Sequence, residues 1–201
     1  MNAKLLAVLL LGVLSPQVVT TDRVLASNTL QPSIVVQGSL AQAGQTAEYY
    51  IDRGVVKYKA NDFQGAIAEF NRAIAVNPKE GMGYNGRGLA KYSLGDKQGA
   101  LADFDRALEL NPKEILAYNI RGFIRSEVGN HRGAIDDFSR SIAIDATQAN
   151  AYNGRGLAKY KLGDKVGAIA DLTKSAQLFN QQGDTEMAGK ITSLLKILNE
   201  V

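Results

Sequence analysis

From residue 47 onward the apolar positions recur at two intervals at once, three to four residues within short segments and 34 residues between segments. Tyr50, Tyr84, Tyr118 and Tyr152 lie on the longer step, as do Gly54, Gly88, Gly122 and Gly156. Ala66, Ala100, Ala134 and Ala168 keep it too, and so do Phe70, Phe104, Phe138 and Leu172. The short interval predicts helices. The long one predicts an internal repeat in gapless units 47–80, 81–114, 115–148 and 149–182. Each unit reads as two helices. In the second unit the first helix runs from Tyr84 to Leu94, and Gly95 supplies the left-handed residue that closes it; Asn61, Gly129 and Gly163 hold the same place. Asp62, Asp96, Asn130 and Asp164 follow directly as N-caps for the second helix. That helix runs to about Leu110, where Asn111-Pro112 stops it, as Asn77-Pro78 does one unit earlier. Asp145-Ala146 lacks the proline and predicts a weaker stop. Short antiparallel helix pairs at a fixed period make an all-α chain, an alpha-solenoid.

The two ends break the period. In residues 183–201, Asp184 can cap a helix whose Met187, Ile191, Leu194, Leu195 and Leu198 form one apolar stripe. Such a helix would cover the exposed end of the stack, so it is read as a C-terminal capping helix. At the other end a single lysine, Lys4, precedes the ten-residue apolar run Leu5 to Leu14, too short to cross a bilayer. Residues 1–26 are read as a secretory signal peptide cleaved near Ala26, with Ala43 the alternative site and an uncleaved anchor the competing reading. Residues 27–46, rich in Ser, Gln, Thr and Gly, are read as a flexible linker. Export follows from this, to a periplasm, a thylakoid lumen or the outside.

Composition removes whole classes of chemistry. The chain has no cysteine and one histidine, His131, which excludes disulfides, thiolate metal sites and a cysteine nucleophile. Lys and Arg total 23 against 20 Asp and Glu, a net charge of +3 that is too balanced for a nucleic-acid footprint. Gly81-Met82-Gly83-Tyr84-Asn85-Gly86 matches a dinucleotide fingerprint in letters, but it follows a helix instead of the strand that motif needs. No catalytic, cofactor or metal residue emerges. The chain reads as a non-enzyme.

Taken together, Gly88, Ala100, Phe104, Ala107 and Pro112 and their equivalents resemble the tetratricopeptide repeat family, with Tyr84 at the family's Trp position. The Y-N-x-R-G and G-D-x-x-G-A phrases are similar to exported bacterial members, cyanobacterial ones among them. The resemblance implies a protein-interaction scaffold whose ligand lies in the concave groove. Members that bind chaperone tails carry a basic two-carboxylate clamp there; Ile51, Val55, Gly86, Leu116 and Ile120 stand in those places here. Arg53, Arg87, Arg121 and Arg155 replace the family's Leu, and Lys57, Lys91, Arg125 and Lys159 its Tyr. Arg87 lies eight residues before Gly95 and Asp103 eight after it, so both fall at one level of the hairpin. Glu69, Asp137 and Asp171 repeat this, and Arg–carboxylate pairs within each hairpin are expected. Gly65, Gly99, Gly133 and Gly167 have no explanation from sequence.

The face of the first helix opposite its packed side carries three rows: Asn85, Asn119 and Asn153; Leu89, Phe123 and Leu157; Tyr58, Tyr92 and Tyr160. Amides, tyrosines and an apolar row suit an extended peptide or a partner helix, and these nine residues are the candidate site. The preferred reading is a non-enzymatic scaffold outside the cytoplasm with a protein or peptide partner, no nucleic acid and no membrane span after processing. The alternatives are an accessory subunit of an envelope enzyme or of a secretion or assembly complex, and an RNA-binding helical repeat.

Overall fold

In the computed structural model, residues 45–200 are described; the predicted signal peptide and residues 27–44 of the predicted linker lie outside them. Thr46–Val201 forms one unit of the chain. Among the described residues there are nine helices and no strand. They are α1 (Ala47–Lys59), α2 (Phe63–Val76), α3 (Gly81–Ser93), α4 (Lys97–Leu110), α5 (Ile115–Glu127), α6 (His131–Ile144), α7 (Ala149–Lys161), α8 (Lys165–Gln181) and α9 (Thr185–Glu200). The chain is an all-α helical repeat.

Local chemistry sets most of the boundaries. Asn61 at φ 61°, with Gly95, Gly129 and Gly163 at φ 89°, 83° and 84°, turns each hairpin through the left-handed region. Asp62, Asp96, Asn130 and Asp164 then accept a backbone N–H from the third helical residue. Glu80 accepts from the Met82 N–H, so α3 begins three residues before the predicted Tyr84. The expected weak stop after α6 is not seen. Asp145 takes the extended conformation of Asn77 and Asn111, and its carboxylate accepts from the Thr147 N–H at 2.8 Å, as those amides accept from Lys79 and Lys113 at 3.1 Å. The turn-forming side chain, common to all three, is enough without proline. In the fourth repeat Phe179 replaces that residue. The helix runs on to Gln181, and Phe179 is buried in a cluster with Leu172, Leu178, Ile191 and Leu198.

Each helix packs on the next in sequence, and α1 also meets α3, as α5 meets α7. Among the described residues no two second helices make a comparable contact, so the first helices form the more closely packed side of the stack, taken here as its inner side. Ala66, Ala100, Ala134 and Ala168 are fully buried, beside Phe70, Phe104, Phe138 and Leu172. Where α5 and α7 turn Ala117, Ile120, Ile124 and Ala151, Gly154, Ala158 toward the preceding repeat, α1 carries Tyr49, Asp52 and Val56. Tyr49, Asp52 and Val56 are exposed. A carboxylate in the middle of that face gives the stack a polar end.

Candidate functional site

The orientation of each first helix is fixed by an ion-pair ladder. Arg87 donates through Nε and Nη2 to Asp103 at 3.0 and 2.6 Å, Arg121 to Asp137 at 3.0 and 2.6 Å, and Arg155 to Asp171 at 2.8 and 2.7 Å. Arg53 reaches Glu69 by one bond of 3.0 Å. The expected hairpin pairs are present in all four repeats. Three of the carboxylates hold a second cation that sequence reasoning left without a role: Lys91 on Asp103 at 2.8 Å, Arg125 on Asp137 at 3.0 Å, and Lys159 on Asp171 at 2.8 Å. In the first repeat Lys57 turns instead to Asp62, and Glu69 takes Arg72.

Each interior arginine also crosses to the preceding repeat. Its Nη1 donates to Asn71 at 2.7 Å from Arg87, to Asp105 at 2.7 Å from Arg121, and to Ser139 at 3.1 Å from Arg155. Its guanidinium lies over the tyrosine one turn earlier, 5.4–5.6 Å from the rings of Tyr84, Tyr118 and Tyr152. The bidentate bonds to Asp103 hold Arg87 above the ordinary arginine range against the lowering effect of burial. Burial pushes the Asp137 carboxyl up despite Arg121. At Asp171 burial acts the same way, but bonds from Arg155 and Lys159 prevail and lower it. The ladder is structural: each aspartate in it holds two cations, and Glu69 holds Arg53 and Arg72 on Oε1 while its Oε2 is buried without a partner.

The nine candidate residues lie on α1, α3, α5 and α7, the inner helices, but they are not equally accessible. Asn85 and Asn119 are buried, with each Oδ1 enclosed and unpartnered, while Asn153 is half-buried. Tyr58 is buried, and its hydroxyl shares a 3.0 Å hydrogen bond with Ser93 of the next repeat. Tyr92 donates to Glu127 of the next repeat at 2.9 Å; burial first, then this bond, raises its phenol well above the usual range. Tyr160 is exposed. Leu89 is half-buried, and so is Phe123, which packs on Ala134, Phe138, Ala151 and Ala158 and meets the Tyr92 ring edge-on at 6.2 Å; Leu157 is exposed. Two tyrosine hydroxyls are thus committed to links between repeats. Ser93 and Glu127, their partners, were missed, although each lies 35 residues after its tyrosine, one step beyond the period. Among the described residues no His, Asp and Glu group is arranged to hold a metal ion, and no helix is long and apolar enough to cross a membrane.

Residues 51–115 match the sequence profile of the family described as Tetratricopeptide repeat. That stretch, from α1 to the start of α5, is similar to tetratricopeptide repeats. Solved structures agree on the fold. The chain is 23% identical to MamA in its crystal structure, with a TM-score of 0.63 over 78% of this chain and 93% of that one. The first repeat domain of Spaghetti (RPAP3), solved with the HSP90 peptide SRMEEVD, is 22% identical, with a TM-score of 0.58 over 59% of this chain and 94% of that one. The repeat domain of Arabidopsis OM64 is 23% identical, with a TM-score of 0.56 over 57% of this chain and 95% of that one. No curated protein matches the chain.

Proposed function

We propose that this chain is a non-enzymatic scaffold that holds a peptide segment or a partner helix along α3, α5 and α7. The observation that carries the reading is the amide row. Asn85 and Asn119 bury their oxygens without a partner, so the amide nitrogen is the polar end each can offer a ligand. Its complement is a carbonyl, which an extended backbone supplies at regular intervals. Leu157 and Tyr160, 40% and 46% exposed, offer apolar area at the fourth-repeat end of the face. The peptide-bound Spaghetti (RPAP3) domain, which shares this fold, supports the general mode. Its acidic peptide is a poor guide to the ligand's chemistry. The positions the family uses for a basic clamp hold Ile51, Val55, Gly86, Leu116 and Ile120, with Ile51 and Ile120 buried. The preferred ligand is an uncharged segment with apolar side chains.

Asn119→Ala combined with Tyr160→Ala should weaken capture of selected display peptides about tenfold, a loss of ~1.4 kcal/mol. The helical signal and melting temperature should stay at the parental values. Capture at parental strength by a folded double variant would place binding elsewhere. The reading also sets the scaffold outside the cytoplasm, on the strength of the short apolar run Leu5 to Leu14 behind Lys4. Mass spectrometry of the mature protein should find a new N-terminus after Ala26 or Ala43; an intact Met1 in a soluble cytosolic fraction would defeat it.

A further inference from the structure

We propose that the stack bends at the junction between its second and third repeats, and that an ionic latch across this junction sets the spacing of the inner face there. Packing singles the junction out first. A Cβ on Gly86 would run into the Phe70 ring, and one on Gly154 into the Phe138 ring, so α3 meets α2, and α7 meets α6, through bare backbone. Ile120 stands at the same repeat position in α5, buried to 3% exposure. A branched side chain where the other two junctions have a hydrogen atom holds the backbones apart. Accordingly α4 and α5 approach each other over a shorter stretch than α2 and α3 or α6 and α7.

The bonds that cross the junctions differ in the same sense. Between the first and second repeats they end on neutral groups, Asn71 from Arg87 and Ser93 with Tyr58. Between the third and fourth the arginine again ends on a neutral group, Ser139. Between the second and third they end on carboxylates. Asp105 takes Arg121 at 2.7 Å and Arg125 at 3.6 Å, and Glu127 takes Lys97 at 3.2 Å and Tyr92 at 2.9 Å. Among the described residues, ion pairs between repeats cross this junction alone. Asp105 keeps 51% of its side chain exposed and Lys97 40%, so these pairs are open to screening by salt. Close apolar packing is not. The junction with the least backbone contact and the most charge is therefore the one that ionic strength loosens. Tyr92 and Phe123, in edge contact across it, separate when it opens. This is a property of the free chain and stands whether or not the face takes a peptide.

The chain has no cysteine, so spin labels attach only where cysteines are introduced. Ala68, Ala102 and Asp136 are exposed on α2, α4 and α6 at the 34-residue step. In the full chain, the pair Ala102→Cys with Asp136→Cys spans the latch, and Ala68→Cys with Ala102→Cys spans the first junction. Raising salt from about 0.01 to about 1 M shortens the screening length from about 30 to about 3 Å. The latch-spanning distance should shift outward and broaden, while the control distance stays fixed. Adding Asp105→Asn and Glu127→Gln should give the broadened, longer distance already at low salt and abolish the response. A latch pair that ignores salt, a control pair that responds equally, or a double variant that still responds would each overturn the proposal.

Discussion

Gly65, Gly99, Gly133 and Gly167 are each the third residue of a second helix, and each donates its N–H to the capping side chain at 2.8–3.0 Å. The cap leans so far over the helix that its carboxylate or amide occupies the space a Cβ would need. Here glycine is required by a neighbour's side chain, since these residues sit at ordinary helical dihedrals. Replacing a helical glycine by alanine usually stabilises by about 0.5–1 kcal/mol. Gly189, inside α9 with nothing within reach of a Cβ, should follow that rule. Gly99→Ala should do the opposite, because its methyl must displace Asp96 from the cap. Urea unfolding of the two variants gives the sign directly, and stabilisation by both would show that the cap yields at no cost. The column itself was legible in the sequence. Its reason was not, because the clash is with a side chain three residues back in a cap geometry that the order of residues does not specify.

At the scale of the helix, start and stop signals were largely readable, since they are local: a left-handed Gly or Asn, an Asp or Asn cap, a turn-forming residue after the second helix. The misreadings were local as well. Glu80 capped α3 early, and Asp145 closed α6 without proline's help. The last helix shows how an element depends on its surroundings. Its stripe turns Ile191 and Leu198 into the cluster with Leu172, Leu178 and Phe179, while Met187, Leu194 and Leu195 pack at its edge. Deleting residues 184–201 should leave that cluster open to water on one side. Losing the buried Ile191 and Leu198, at roughly 1.5–3 kcal/mol each, together with the partly buried Met187, Leu194 and Leu195, is enough to unseat the fourth repeat. A clear drop in melting temperature with onset of aggregation is expected in calorimetry and light scattering. A truncated chain that melts with the parent would show that the fourth repeat closes the stack unaided.

For the whole molecule, the stack converts a one-dimensional period into a surface: residues 34 apart in sequence become neighbours in rows. The sequence by itself determined the repeat, the helix pairs, the hairpin turns and the arginine–carboxylate pairs, because each depends on contacts within one turn or one hairpin. Helical geometry also separated the packed side of each first helix from the face opposite it, which the family resemblance put in the groove. Only the tertiary structure decided which residues on that face are available. Asn85 and Asn119 are buried, Tyr58 and Tyr92 are tied to Ser93 and Glu127, and Leu157 and Tyr160 are left open. It alone showed that each of the four carboxylates holds two cations, and that Asp105 carries the charge across the middle junction. For the inner face and the middle junction the physical reason is the same. Burial and pairing between repeats depend on how closely successive units approach, and that distance is set by the side chain at one junction position, Gly86, Ile120 or Gly154, acting through the packing of both neighbours.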